Sequence, residues 1–358
     1  MLSFNEKMKN LLEEKELKNQ FSGSVMVTKD KESLFSGAYG YANRDWNIKN
    51  TVRTRFRVAS VSKMFTSIAV LQLIEKGKLD FLTSVVDFLD LKDSKIGPEV
   101  TVFNLLTHTS GITDYYDEST GDEGWETLWS KKPLYTVRKL SDFAEMFVGL
   151  EPENEVGEKF KYNNGGYVLL GLAIEKASGM SYSEYLKKNI FEPLGMEQTD
   201  LCHLDDISTK AAEGYEYETD DDGNITRWYK NIYAALPAPS ADGGATSSVE
   251  DMITFIDAVK EGELLSEEMT EMFLKPHVLD QDSDGVRGYK WQYGFANWFI
   301  SKDDQIVRGG HTGEEYGVSC RLYYYPEKGI NVVILGNQGW CAGALGWDIH
   351  ELILESFL

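Results

Sequence analysis

The chain of 358 residues is poor in cysteine, in basic charge and in long apolar runs, and each shortage closes off a class of protein. Its three cysteines, Cys202, Cys320 and Cys341, are odd in number and too few for a disulfide framework, and read as free thiols of a reducing compartment. Lys and Arg number 36 against 58 Asp and Glu, a net charge of −22. Such a surface repels nucleic acid and anionic lipid, which excludes polynucleotide and membrane partners. No apolar stretch approaches the roughly 20 residues that cross a bilayer. The opening Met1-Leu2-Ser3-Phe4-Asn5-Glu6 lacks the basic-then-apolar profile of a secretory leader. The expectation is a cytoplasmic protein whose partner is a small molecule.

What is present suffices for a large core: 42% of residues are hydrophobic and 12% aromatic, enough for one large domain or two medium ones. Ser3 and Glu6 form the signature of a capping box, opening a helix with Met8, Leu11 and Leu12 on one side. Residues 23–28 and 33–41 read as a hairpin around Lys29-Asp30-Lys31. From 79 to about 280 helical segments alternate with polar loops. Residues 293–300, 305–310, 316–325 and 330–336 then read as an antiparallel meander, followed by a helix with Leu345, Ile349, Leu352, Ile353 and Phe357 on one face. The fold class is α+β. Residues 1–79 and 286–358 build one sheet lobe flanked by helices, and residues 80–285 form a mostly helical lobe inserted between its halves.

The chemistry centres on Arg57-Val58-Ala59-Ser60-Val61-Ser62-Lys63, which opens an otherwise apolar helix bearing Met64, Phe65, Ile68, Ala69, Leu71, Leu73 and Ile74. A spacing of three places the Ser60 hydroxyl and the Lys63 amine on one face. A buried amine loses affinity for its proton and can take that of a hydroxyl, while the helix N-terminus favours a developing oxyanion. No other serine in the chain has this spacing to lysine.

Other motifs read more plainly. His108, within Thr107-His108-Thr109-Ser110-Gly111, is a hydrogen-bonded structural residue rather than a base. Gly243-Gly244 lets the backbone approach either substrate or another element closely. Asp280-Gln281-Asp282-Ser283-Asp284-Gly285 matches the first half of a calcium loop, but Trp291 holds the twelfth position and a solvated acidic turn is the expectation.

Three separated elements, Ser60 to Lys63, Tyr162-Asn163-Asn164 and His311-Thr312-Gly313, together resemble the serine β-lactamase and penicillin-binding protein superfamily, with its Ser-x-x-Lys, Tyr-x-Asn and Lys-Thr-Gly signatures. Tyr162 brings the chain nearer the class C β-lactamase branch, with its esterases and D-amino-acid peptidases. The resemblance implies a β-lactamase/transpeptidase-like fold and a metal-free, cofactor-free serine hydrolase acting on a small ester, amide or lactam. It implies Ser60 as acylated nucleophile, Lys63 as its proton partner and Tyr162 as a phenol that serves as base once nearby cations deprotonate it. Asn164 would orient Lys63 and bind substrate, and the main-chain N–H groups of Ser60 and Glu314 would form the oxyanion hole. His311, Thr312 and Gly313 would line the substrate. His311 departs from the lysine common at its position, which lowers the expected affinity for anionic substrates. The same resemblance admits a second role, a sensor that penicillin-like compounds acylate and that stays acylated.

Overall fold

The computed structural model describes residues 2–357, apart from the side chains of residues 119 and 122. Helix α1 (Phe4–Leu17) starts at the Ser3/Glu6 capping box and buries Met8 and Leu12. Strands β1 (Gly23–Lys29) and β2 (Glu32–Tyr39) form the expected hairpin. Its two central residues, Asp30 and Lys31, both have positive φ, as a tight hairpin turn with the right-handed twist requires. A short strand, Phe56–Arg57, leads through a 3₁₀ turn, Ala59–Val61, into α2 (Ser62–Glu75), which stops at Gly77 with φ +64°. All of Met64, Phe65, Ile68, Ala69, Val70, Leu71 and Leu73 are buried. At about 1.5–3 kcal/mol for each large side chain, this burial fixes the helix firmly behind Ser60.

Helix α3 (Asn164–Ser178) is capped by the Asn163 side chain, which accepts the Gly166 N–H, and ends at Gly179 with φ +73°. The region expected to be helical departs from that reading at one hairpin. Tyr215–Thr219 and Ile225–Lys230 pair as an antiparallel hairpin around the Asp220–Gly223 turn, because β-branched and aromatic residues alternate with charged ones there. Helix α4 (Val249–Lys260) packs against the sheet. The first acidic residue of the calcium-like segment, Asp280, accepts the N–H groups of Asp282 and Ser283 in a local turn.

The sheet continues with β3 (Val278–Leu279), β4 (Lys290–Tyr293), β5 (Trp298–Lys302), β6 (Gln305–Glu315), β7 (Val318–Tyr325) and β8 (Ile330–Gly336), and closes with α5 (Cys341–Ser356). Its eight strands run in the order β2-β1-β8-β7-β6-β5-β4-β3, all antiparallel. The stretch 293–300 is two strands rather than one: Gly294 N–H bonds to the Asn297 carbonyl, and Ala296 takes φ +56° to make the corner. Strand β8 is buried on both faces and runs through the middle of the sheet. Alternation in β7 divides the core. Tyr323 and Tyr325 face α1 and α5, while Leu322 and Tyr324 face the cluster that includes α2, α3 and α4.

Strand β6 positions the chemistry. Its pairing with β5 ends at Gly310, so residues 311–315 have β7 on one side and no β5 partner on the other.

Candidate active site

The chain turns sharply at Ala59, whose φ of +45° is rare outside glycine and costs about 1–2 kcal/mol. Ser60 stands just past this bend, partly exposed, while Lys63 one turn later is wholly buried. The Lys63 amine lies 2.9 Å from Ser60 Oγ, 2.7 Å from Asn164 Oδ1 and 2.7 Å from the main-chain oxygen of Asp242. The last two groups only accept hydrogen bonds. The Asn164 amide is oriented by its other end, where Nδ2 donates to Glu118 Oε1 at 3.0 Å. A neutral amine has two N–H bonds and one lone pair, so meeting both carbonyl oxygens leaves the lone pair directed at Ser60. Burial lowers the Lys63 pKa below its usual 10.5, against the opposing pull of Asp242, Glu118, Asp114 and Glu315.

Tyr162 comes from the loop before α3. Its ring is 4.9 Å from Lys63 Nζ and stacks on Trp298, and its hydroxyl interacts with that of Ser60. Burial, reinforced by the negative charge of Glu118, raises the phenol pKa well above 10, and the Ser60 contact only partly offsets this. The resting phenol is therefore protonated. The role of base expected of Tyr162 depends on cations that favour the phenolate, and the Lys63 amine lies 4.9 Å from its ring centre.

Gly313 explains how β6 meets the nucleophile. A methyl group there would lie 2.4 Å from the Val58 carbonyl oxygen and 3.2 Å from Ser60 N. Only glycine lets the strand pass this close, which carries the main chain of Glu314 to the Ser60 bend. The Glu314 side chain turns away, accepting from Arg321 at 2.6 Å and from Ser319 at 2.9 Å. Gly243 resolves its alternatives toward another element: its added methyl would meet Glu315 Oε1 at 3.3 Å and Ala59 at 3.8 Å.

His311 does not meet this crevice as a free side chain. It is fully buried with both ring nitrogens engaged. Nδ1 faces the Thr312 carbonyl at 2.6 Å and must donate to it, so Nε2 accepts from the Tyr293 hydroxyl at 3.1 Å. On the other side of Tyr293, His108 Nδ1 accepts the Asn163 N–H, so its Nε2 donates to the Tyr293 oxygen at 3.1 Å. Backbone groups at both ends thus assign every proton in the chain Asn163–His108–Tyr293–His311–Thr312. Burial pushes His311 down to about 3 and His108 well below 6.5, so both rings are neutral. His108 has the structural role expected of it. The expected contact of His311 with substrate is replaced by a position behind Tyr162, at 6.2 Å between ring centres.

Sequence reasoning missed four contributors. Asp114 accepts the Asn164 and Gly165 N–H groups at the start of α3, and burial raises its pKa to about 7. Asp242, buried, receives the Tyr115 hydroxyl at 2.6 Å and the Ser240 hydroxyl. Glu118 orients Asn164, and Tyr293 joins the two histidines. No local pattern marks any of them, since each acts on a residue far away in sequence.

Comparison with known proteins identifies the family and the fold. A family model described as Beta-lactamase matches residues 8–339. Penicillin-binding protein 4* of Bacillus subtilis is 28% identical over 330 residues, covering 90% of this chain and 69% of the relative. Protein flp of Staphylococcus aureus is 25% identical over 88% of this chain, which spans 59% of that protein's length. The crystal structure of a penicillin binding protein from Bacillus halodurans is 35% identical, covers 95% of this chain and 99% of its own, and superposes with a TM-score of 0.86. The eight-stranded sheet with its flanking helices is thus the β-lactamase/transpeptidase fold. A match spanning nearly the whole chain, together with this fold, places the protein in the β-lactamase family.

Proposed function

We propose that the protein is a serine hydrolase that forms an acyl-enzyme at Ser60 on a small ester or amide. The observation that carries this reading is the buried Lys63 amine, 2.9 Å from Ser60 Oγ and held by the Asn164 and Asp242 oxygens; in its neutral form those two acceptors take both N–H bonds and the lone pair faces the hydroxyl. In the first step the Ser60 proton passes to Lys63 Nζ while Oγ bonds to the substrate carbonyl carbon. The oxyanion meets the main-chain N–H groups of Ser60 and Glu314. The protonated phenol of Tyr162 gives its proton to the leaving oxygen or nitrogen as that bond breaks, and the Lys63 ammonium restores the phenol. A water then gives a proton to Lys63, attacks the acyl carbon and releases the acid, with Ser60 recovering its hydrogen.

The unpaired edge of β6 at residues 311–315 suits an extended, amide-bearing substrate. The test is hydrolysis of 4-nitrophenyl acetate, with loss of at least about 10³-fold in kcat/KM in Ser60→Ala. Equal rates in the two proteins would overturn the assignment.

The similarity to proteins named penicillin-binding favours a second reading, a protein that penicillins acylate durably. Mass spectrometry after mixing with benzylpenicillin separates the two: a stable adduct without turnover supports the sensor, and release of penicilloate supports the hydrolase.

A further inference from the structure

The end of β6 lies open on one side, so something other than a neighbouring strand must hold it. Residues 311–315 pair only with β7, and Glu315 is the last of them before the turn at Tyr316 and Gly317. Strand ends of this kind fray, because little packing stands behind each bond that opens. The main-chain N–H of Glu314, assigned above to the oxyanion, belongs to the residue just before that end.

Side chains hold the segment on both faces. Glu314 reaches Arg321 and Ser319 on the side of α5. Glu315 points the opposite way, as alternation along a strand requires, and its Oε2 lies 3.2 Å from Arg57 Nη2. These two side chains are only 15% (Arg57) and 14% (Glu315) exposed. Arg57 stands three residues before Ser60, in the short strand Phe56–Arg57 that pairs with Thr246–Ser247. Its Nη1 donates to the Leu236 carbonyl at 3.0 Å, and its own carbonyl accepts the Cys320 thiol at 3.2 Å. Arg57 is thus fixed from three directions. The other oxygen of Glu315 borders Gly243, next to the Asp242 whose carbonyl holds Lys63. One ion pair therefore joins the segment that carries the nucleophile to the strand that carries the second oxyanion donor.

We propose that Arg57 and Glu315 are positioning residues for the acylation of Ser60: their ion pair sets the separation of the two main-chain donors, the N–H groups of Ser60 and Glu314, that receive the oxyanion. The inference rests on the hydrolase reading. Donors stabilise an oxyanion when they converge on one point, so a small drift of β6 away from Ser60 weakens one of them without removing it. Gly313 lets the strand approach the bend, and the ion pair two residues on keeps it there. A guanidinium suits this task because its fork meets Leu236 and Glu315 at once, which a single ammonium does not.

Charge and position make opposite demands. By charge alone, removing the Glu315 carboxylate should strengthen the binding of an anion at Ser60; loss of the clamp should weaken it. Phenylboronic acid reads the difference: its boron bonds to Ser60 Oγ and becomes tetrahedral and anionic as the Ser60 proton passes to Lys63, which puts a boron-bound oxygen in the place of the oxyanion. The test measures its inhibition constant, with kcat/KM for 4-nitrophenyl acetate, in the native protein, Arg57→Gln, Glu315→Ala and Arg57→Lys. The first two variants are expected to lose about 10–10²-fold in kcat/KM, less than the loss of a whole donor, and to bind the boronate more weakly by a similar factor. Arg57→Lys keeps the charge and should recover part of both. Should a single variant fail to fold, Arg57→Leu combined with Glu315→Ala leaves neither charge without its partner, and its loss should match that of one change rather than the product of two. A merely structural role lowers the number of folded molecules, and with it the rate, but leaves the inhibition constant of the remainder as it was. An unchanged inhibition constant, or a tighter one in Glu315→Ala, overturns the proposal. Failure of the hydrolase reading shows elsewhere, as equal ester hydrolysis by the native and Ser60→Ala proteins.

Discussion

Replacing Tyr293 by phenylalanine removes one oxygen from the middle of a chain of five hydrogen-bonding groups and leaves the ring in place. Two buried polar atoms lose their partner: His108 Nε2–H, which donates to that oxygen, and His311 Nε2, which accepts from it. Each buried group left unsatisfied costs about 1–3 kcal/mol, so Tyr293→Phe should destabilise the protein by about 2–6 kcal/mol. That is a large share of the roughly 5–15 kcal/mol typical of a folded protein. Urea unfolding followed by circular dichroism reads the loss directly, as a lower midpoint at an unchanged slope. Nitrogen-15 NMR of the histidine rings reads its cause: in the native protein His311 should carry its proton on Nδ1 and His108 on Nε2. A loss under about 1 kcal/mol, or the opposite tautomer at His311, would refute the assignment of the network. The same rings set an acid limit. A histidine whose folded pKa lies near 3 contributes stability that is present above about pH 6.5 and is lost as pH falls, by about 2 kcal/mol at pH 5 for His311.

Further outcomes follow from the site. Lys63→Arg keeps the charge but supplies a group that does not give up its proton, so ester hydrolysis should fall by about 10²–10⁴-fold without loss of fold. The Asp242 carboxylate holds the Lys63 pKa up; Asp242→Asn should therefore move the rising limb of the kcat/KM–pH profile to lower pH, and an unmoved limb would count against Lys63 as base. Gly313→Ala drives a methyl group to 2.4 Å from the Val58 oxygen, and should both destabilise the protein by about 1–3 kcal/mol or more and abolish turnover. The buried Asp114, raised to about 7, favours the folded state when protonated. Its contribution should fade as pH rises from about 4 to about 7, a slope that Asp114→Asn removes.

Ser60 and Lys63 were legible in the sequence because they act across one helical turn, where spacing alone sets distance. The α1 capping box and the first hairpin were legible for the same reason, each being decided by residues within a few positions of one another. The sheet's order was not, since it depends on pairings such as Gly23 with Gly336 that no local pattern encodes. Tyr162 and Asn164 were placed through a family pattern, but the surroundings that raise the Tyr162 phenol, burial and the charge of Glu118, come from elements that no local pattern joins to it. The same limit hid Asp242, whose carbonyl reaches Lys63 from 179 residues away, and the meeting of Arg57 with Glu315, which lie on separate elements.

The Lys63 amine is tuned by contacts that arrive late in the chain. Its partners come from residues 60, 164 and 242, and the strand that borders Ser60 ends at residue 315. A ribosome-bound fragment that stops before β6 contains Ser60, Lys63 and the three partners of the amine but lacks the strand whose main chain passes the Ser60 bend at Gly313. If Ser60 is acylated as proposed, covalent labelling by an acylating reagent is expected to appear during refolding when β6 docks beside the Ser60 bend.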